Sequence, residues 1–184
     1  MLIGIMGKMG TGKTLSMTIL ASYLYYRYKV PIHANYELNS PIKSETLKYT
    51  EDIWKVEDGI ICLDEVWLTL DSRLWQDNVA LTRWVNQTRK KRLIVFYTSQ
   101  HINQVEMRMR NATDILIVCE KKYGSIWLNF VDYQYGTLGR KFEIKKPNRF
   151  YMLYDTFQVL EPIISRKWQD KKDASKKHHY PPAK

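Results

Sequence analysis

A glycine-rich segment near the N-terminus constrains the fold of this chain more than any other feature. Residues 7–14 read Gly-Lys-Met-Gly-Thr-Gly-Lys-Thr and fit the pattern G-x-x-x-x-G-K-S/T. An apolar run at residues 2–6 precedes the segment, and a stretch with helical spacing of apolar residues, 13–28, follows it. Glycines let backbone N–H groups converge on phosphate at a helix N-terminus, where the helix dipole favours anions. The sequence therefore predicts a strand, a phosphate-binding loop and a helix.

The residues of this loop indicate how a nucleotide would be bound and which nucleotide it is. The eight residues expected to hold the nucleotide are Gly7, Lys8, Met9, Gly10, Thr11, Gly12, Lys13 and Thr14. Lys13 is expected to reach the β- and γ-phosphates as a catalytic residue, and the Thr14 hydroxyl is expected to ligate Mg²⁺. A guanine-reading N-K-x-D motif is absent, since Asn129-Phe130-Val131-Asp132 lacks the lysine. The predicted cofactors are therefore ATP and Mg²⁺.

A pair of carboxylates supplies the second half of the predicted site. Asp64 and Glu65 directly follow four apolar residues, 60–63, as expected at the carboxyl end of a buried parallel strand. We expect Asp64 to hold the magnesium ion through water and Glu65 to orient and deprotonate the attacking water. Gln100 ends the next apolar strand, where it would sense the γ-phosphate or the attacking water. Asp64 is the predicted metal residue, and Glu65 and Gln100 are predicted catalytic residues.

Apolar runs alternate with helical patterns over the first 120 residues. Strands are predicted at 2–6, 30–34, 60–63, 93–97 and 115–119, and helices at 13–28, 77–92 and 102–110. This alternation predicts an α/β fold with a mostly parallel sheet flanked by helices. Beyond Glu120 shorter strands are predicted at 125–131, 140–145 and 149–154, as an antiparallel hairpin appendage on one sheet edge. We expect one domain over residues 1–160, with a core at 1–120 and the appendage at 121–160.

Positive charge is concentrated at the C-terminus. The 184 residues include 29 Lys and Arg against 19 Asp and Glu, a net charge of +10, and residues 166–184 carry half of the excess. Residues 161–184 are therefore predicted to form a basic, mobile tail. Such a tail fits contacts to the DNA backbone without sequence preference, or simply a solubilising segment.

The cysteines and the hydropathy of the sequence indicate the cellular compartment of the protein. Cys62 and Cys119 each lie inside an apolar run and have no C-x-x-C spacing, which predicts reduced core thiols. The longest uncharged stretch, 14–26, is too short to span a bilayer. The sequence thus predicts a cytoplasmic protein without a membrane span.

These motifs together resemble a known group of enzymes. The loop at 7–14, the apolar strand ending in Asp64-Glu65, and Arg89 before the strand ending in Thr98-Ser99-Gln100 resemble the HerA-FtsK superfamily of DNA-pumping ATPases. The chain looks most like the zonular occludens toxin-like branch, which includes phage morphogenesis proteins and viral packaging ATPases. The resemblance covers residues 1–120. It implies a RecA-like P-loop NTPase fold of the ASCE class.

The resemblance also implies a function and an assembly. It implies Mg-dependent ATP hydrolysis coupled to DNA translocation, with viral genome packaging favoured because the membrane-spanning segment of the morphogenesis proteins is lacking. The expected partners are DNA, further copies of the chain in a homo-oligomeric ring, and capsid or portal proteins, in the host cytoplasm if the chain is viral. Arg89 occupies the position of the superfamily's trans-acting arginine, with Arg92 and Arg110 as alternatives.

Three alternatives remain open at the level of sequence. The first is an ATPase for assembly or extrusion of a filamentous virus. The second is a small-molecule kinase that would use Arg108 and Arg110 as a phosphate clamp. The third is a nucleotide-gated assembly protein that does not hydrolyse its nucleotide.

Overall fold

The computed structural model describes residues 1–39, 41–69 and 78–170. The strands in these ranges are β1 (Leu2–Met6), β2 (Ile32–Ala34), β3 (Ser44–Thr46), β4 (Gly59–Leu63), β5 (Leu93–Ser99), β6 (Ile115–Lys122), β7 (Ser125–Asp132) and β8 (Thr137–Ile144). The α-helices are α1 (Lys13–Tyr28), α2 (Thr50–Lys55), α3 (Val66–Thr69), α4 (Asn78–Gln87) and α5 (Met107–Asn111). Two 3₁₀ helices, Ile102–Gln104 and Pro147–Leu153, complete the described elements.

The described strands form one sheet in the order β3-β2-β4-β5-β1-β6-β7-β8. All neighbours from β3 to β6 are parallel, and β7 and β8 are added antiparallel at one edge. The predicted α/β fold, with a parallel sheet and a C-terminal antiparallel hairpin, is confirmed. β1 lies between β5 and β6, in the middle of the sheet. The loop that follows it therefore lies among the carboxyl ends of the parallel strands.

The sheet has a core on each face, because successive residues of a strand point to opposite sides. On one face Ile61 and Leu63 join Leu81 and Trp84 of α4. On the other face Ile60 and Cys62 join Leu15, Met17 and Ala21 of α1. Coverage on both faces explains why the parallel strands are continuous apolar runs.

The antiparallel edge is built by a tight turn between β6 and β7. Lys122 pairs with Ser125, so Tyr123 and Gly124 form the whole turn, and both have positive φ, 52° and 76°. These values match the two-residue turns that fit the twist of paired strands. The turn brings β7 back along β6 and places Ile126 beside the glycine-rich loop.

Several predicted elements differ from the structure. The segment 149–154, predicted as a strand, lies mostly within a 3₁₀ helix, and this prediction is wrong. Pro147 at the start of that helix lacks an N–H group and favours a helical first turn. The predicted helix 102–110 is two pieces, because the Glu106 carboxylate accepts hydrogen bonds from Arg108 N and Met109 N and starts α5 afresh.

Other differences concern element ends and short elements. The helix predicted at 77–92 is observed as α4, ending at Gln87, and Asp77 lies outside the described residues. β3, α2 and α3 are short elements that the sequence analysis did not predict.

The predicted tail is described as far as residue 170. Ile163 is buried, Ile164 pairs with Tyr49, and Arg166 N donates to the Glu51 carboxylate. The Arg166 guanidinium also lies 3.0 Å from Asp52 Oδ1. The first part of the predicted tail therefore packs against α2, and residues 171–184 lie outside the described residues.

Candidate functional site

The glycine-rich loop links β1 to α1. Within it the Thr11 hydroxyl and Thr11 N both donate to Lys8 O, at 2.8 and 3.3 Å, which closes the loop on itself. Gly12 is the N-cap of α1 and has no side chain to accept the N–H groups of the first helical turn. Those N–H groups suit an anion, since a helix N-terminus carries partial positive charge.

Two features of the structure favour glycine at position 12. Its φ is 90°, a left-handed conformation that residues with a Cβ rarely adopt. A Cβ at this position would lie 2.3 Å from Ile126 Cδ1. A side chain at position 12 would therefore have to displace the end of the Ile126 side chain.

Lys13 points its cation at this loop. Its side chain is 6% exposed, and Nζ lies 3.4 Å from Lys8 O and 3.8 Å from Glu65 Oε1. A nearly buried ammonium requires a counter-charge, because burial removes its hydration. Glu65 supplies that counter-charge within the chain, and a phosphate bound by the loop would supply another.

Asp64 meets Thr14 at the end of β4. The Thr14 hydroxyl is 2.9 Å from both carboxylate oxygens of Asp64, and the Thr98 hydroxyl donates to Asp64 Oδ1 at 2.6 Å. Asp64 is buried, and burial raises the pKa of its carboxyl group, opposed by these two hydrogen bonds. The structure therefore brings together the two residues predicted to hold Mg²⁺.

Hard oxygen donors of this kind suit Mg²⁺. No cluster of three or more His, Cys, Asp or Glu side chains able to hold a metal occurs within residues 1–39, 41–69 and 78–170. Mg²⁺ needs no such cluster, because it keeps several waters and is bound by one or two carboxylates together with substrate phosphates. Thr14 and Asp64 fit that mode of binding.

Asn35, at the end of β2, fixes the backbone of Asp64. Its Oδ1 accepts from Asp64 N at 2.7 Å, and its Nδ2 donates to Asp64 O at 2.9 Å. The Thr98 hydroxyl accepts from Glu65 N at 2.8 Å. Asn35 and Thr98 thus position both carboxylates, and the sequence analysis assigned neither of them a role. Their one signal in the sequence is a polar residue at the end of an apolar strand.

Glu65 has a strained backbone. Its φ is 47°, in the left-handed region that non-glycine residues visit at some energetic cost. One carboxylate oxygen faces Lys13, and the other accepts from Trp67 Nε1 at 2.6 Å. Trp67, a further residue missed from the sequence, therefore holds the carboxylate predicted to be the general base.

Gln100 directly follows β5, at the same sheet edge as the loop and Asp64. β5 lies between β4 and β1, so the carboxyl ends of the three strands share this edge. Gln100 is half-buried. Its predicted role in sensing phosphate or water stays a prediction.

Arg89 lies at the opposite end of the parallel strands, where they begin. It lines a cavity of about 790 Å³ together with Met1, Leu2 and Asp114, which lie where β1 and β6 begin. A five-residue strand such as β1 spans roughly 16 Å, which separates Arg89 from the loop of its own chain. The structure does not bring Arg89 to the other predicted catalytic residues of the same chain.

The other arginines considered are engaged within the chain. Arg92 pairs with Asp58 Oδ2 at 2.9 Å, and Arg110 Nη1 donates to Asn103 Oδ1 at 3.1 Å. Arg108 Nη1 lies 2.8 Å from Glu106 Oε1. Among the described residues the guanidinium of Arg89 has no such partner.

The comparison with sequence families gives a match over most of the chain. The model of the Zonular occludens toxin (Zot) family matches residues 23–155, which is more than two thirds of the chain. The match begins after the glycine-rich loop, so the loop rests on its own residues and geometry. No curated protein matches the chain.

Solved structures share the fold. The N-terminal domain of zonular occludens toxin from Neisseria meningitidis is 14% identical, with 84% of this chain and 98% of that chain covered and a TM-score of 0.57. The genome packaging NTPase B204 from Sulfolobus turreted icosahedral virus 2, solved with ATP-gammaS, is 11% identical, with 78% and 96% covered and a TM-score of 0.55. The flagellar accessory protein FlaH from Methanocaldococcus jannaschii is 12% identical, with 78% and 84% covered and a TM-score of 0.50.

These similarities confirm the predicted RecA-like P-loop fold. At such low identity they establish the fold alone. Within the described part of the chain, no helix has the length and apolar character needed to cross a bilayer. The family match over residues 23–155 shows that this chain belongs to the Zot family.

Proposed function

We propose that this chain is a Mg²⁺-dependent ATPase. The proposal rests on one cluster, in which Lys13 and Thr14 of the loop meet Glu65 and Asp64 at 3.8 and 2.9 Å. Cation, hydroxyl and two carboxylates are the groups that phosphoryl transfer to water requires. The loop and the end of β4 hold these four groups together.

Each residue has a distinct role in the proposed reaction. The N–H groups of the loop and Lys13 bind the β- and γ-phosphates. Thr14 and Asp64 would hold Mg²⁺, which neutralises charge on the phosphate oxygens when bound. Glu65 accepts the proton of the attacking water, and its left-handed backbone directs the carboxylate toward Lys13 and hence toward the phosphates.

Binding of a fluorescent ATP analogue with Mg²⁺ tests the first step. Lys13→Ala should abolish binding, because it removes the buried cation that faces the phosphates. Lys43→Ala is the matched control, since Lys43 is an exposed lysine outside the loop. Equal affinity in the Lys13→Ala variant and the wild type would contradict the proposed site.

We further propose that hydrolysis drives movement of DNA, with viral genome packaging as the favoured context. The net charge of +10 supports contact with a phosphate backbone. In the structure, exposed basic residues also lie on the hairpin edge: Lys121, Lys122, Arg140, Lys141, Lys145 and Lys146. The packaging NTPase B204 has the same fold. Extrusion of a filamentous virus uses the same chemistry and stays an alternative.

The kinase and non-hydrolysing alternatives have less support. Arg108 and Arg110, the suggested phosphate clamp, are bound to Glu106 and Asn103. Glu65 is held beside Lys13, where a non-hydrolysing protein would not need it. Phosphate released to water, and not transferred to a small acceptor, separates the ATPase from both alternatives.

DNA coupling is tested by hydrolysis and binding together. ATP turnover should rise on addition of DNA, and affinity for DNA should fall steeply with salt as counterions are released.

A chain ending at Asp170 keeps the packing of Arg166 on α2 and removes the remaining basic residues. For this shorter chain, the slope of log DNA affinity against log salt concentration should be smaller in magnitude by several units. A salt dependence unchanged by the truncation would exclude the tail from the contact.

A further inference from the structure

A groove of about 410 Å³ is lined in part by the glycine-rich loop. Its lining includes Lys13, Thr14 and Glu65 together with three aromatic residues, Tyr151, Tyr154 and Phe157. This volume lies within the range of about 300–1,000 Å³ typical of small-molecule sites. The groove thus joins a phosphate-binding loop to an aromatic surface.

The aromatic residues of the groove lie within residues 151–157, here called the aromatic segment, at the end of the 3₁₀ helix and just beyond it. Backbone pairing fixes this segment to the chain after β2: Tyr154 pairs with Leu38, and Asn39 N donates to Leu153 O at 2.8 Å. Asn39 Nδ2 donates to Met152 O, also at 2.8 Å. The segment is therefore held in place next to the loop.

Tyr154 connects this segment to the helix that carries the loop. Its ring packs edge-on against Tyr36 with the ring centres 5.9 Å apart. The Tyr36 hydroxyl lies 2.9 Å from the Thr18 hydroxyl, which donates to Thr14 O at 2.8 Å. One line of contacts thus runs from the loop through α1 to the aromatic segment.

Two rings of the segment are left exposed at the groove. Tyr151 is 43% exposed and Phe157 is 91% exposed. An exposed ring beside a phosphate loop is suited to a flat partner, because aromatic rings stack on the π-face of a nucleobase. A nucleoside triphosphate has both parts, a triphosphate for the loop and a base for the rings.

We propose that the aromatic segment is the base-binding wall of the nucleotide site, with the purine stacked on the rings of Tyr151 and Phe157. The inference rests on the proposed function and adds the residues that hold the base. In this arrangement the triphosphate itself does not contact the wall. Loss of the rings must therefore weaken a nucleotide and spare a bare triphosphate.

Calorimetric titration of the full chain with ATP and with inorganic tripolyphosphate, both with Mg²⁺, tests this proposal. Tyr151→Ala and Phe157→Ala should each weaken ATP about tenfold, with tripolyphosphate unchanged. Tyr151→Phe and Phe157→Tyr keep a ring and should bind ATP like the wild type. Met152→Ala is the matched control, since Met152 is 75% exposed in the same segment and does not line the groove.

Three results would overturn the inference. ATP affinity unchanged in both alanine variants would show that the base lies elsewhere and would leave the rings to another partner. Equal weakening of ATP and tripolyphosphate would show that the segment merely supports the loop. A wild-type chain that binds neither ligand would contradict the proposed function itself, and this inference with it.

Discussion

At the scale of single residues, Asp64 reaches the loop because Asn35 and Thr98 hold it there. Asn35 makes two hydrogen bonds with the backbone of Asp64, and Thr98 bonds its carboxylate. Both partners are buried. Removing one of them leaves buried polar groups without partners, which costs more than the hydrogen bond itself contributes.

Asn35→Ala should therefore destabilise the fold by about 2 kcal/mol, because it leaves an N–H and a C=O of Asp64 unpaired. Urea unfolding measures the loss. Asn39→Ala is the control, and it should cost about 1 kcal/mol or less because the hydrogen bond it removes is exposed and can be replaced by water. Equal losses of unfolding free energy in the two variants would show that the buried hydrogen bonds of Asn35 stabilise the fold no more than the exposed one of Asn39.

The site residues that could be predicted are those whose signal is local. Residues 7–14 form a continuous motif, and Asp64 and Glu65 directly follow an apolar strand. Asn35 and Thr98 act across strands, 29 and 34 residues away from Asp64. Such partners depend on strand order, which a single sequence does not encode as a local pattern. The hydrogen bond from Trp67 to the Glu65 carboxylate forms where Glu65 has a left-handed backbone, which the sequence does not reveal.

At the scale of elements, the hairpin edge is part of the loop's environment. Ile126 of β7 lies over Gly12, where a Cβ would displace the end of the Ile126 side chain. The antiparallel strands that the sequence analysis treated as an appendage therefore shape the phosphate site. Their position follows from the two-residue turn at Tyr123-Gly124.

Gly12→Ala should weaken ATP binding by tenfold or more, roughly the effect of 1.4 kcal/mol, since the substitution adds both a clash and backbone strain. Gly124→Ala is the matched control: its φ of 76° imposes similar strain, but nothing lies within 4 Å of the added Cβ. Nucleotide titration should show normal affinity in the control. Normal affinity in Gly12→Ala as well would mean that the loop tolerates the contact with Ile126.

Elements with long apolar runs were predicted, whereas most short elements were not, β2 being an exception because it lies within the apolar run 30–34. β1, α1, β4 and β5 are long enough for their pattern to decide the structure. β3 and α2 have three and six residues, and pairing with β2 and packing against residue 163 determine them. The segment 149–154 has strand-like residues, but Pro147 starts a 3₁₀ helix that continues to Leu153, and only Tyr154 at its end pairs as a strand does, with Leu38.

At the scale of the whole molecule, the position of Arg89 bears on assembly. It lies at the end of the parallel strands opposite the loop, so it cannot complete the nucleotide site of its own chain. We propose that it acts on the nucleotide of a neighbouring copy in a ring. A trans-acting arginine typically contributes on the order of 10³-fold or more in rate.

Mixing two inactive variants tests this role. Arg89→Ala should bind ATP normally without hydrolysing it, and mixing with Lys13→Ala should restore part of the activity, because some interfaces then join an intact loop to an intact arginine. Arg92→Ala is the matched control, since Arg92 pairs with Asp58 in its own chain. Normal turnover by Arg89→Ala, or co-assembled mixtures that stay inactive, would reject the role in trans.

The central claim is that the carboxyl edge of the sheet hydrolyses ATP, and Glu65→Gln tests it most directly. The substitution keeps the shape of the side chain and removes the proton acceptor. Phosphate release from Mg·ATP should fall by about 10²- to 10⁴-fold, while ATP affinity should stay within a few-fold of the wild type. Phosphate release at the wild-type rate by Glu65→Gln would contradict the account.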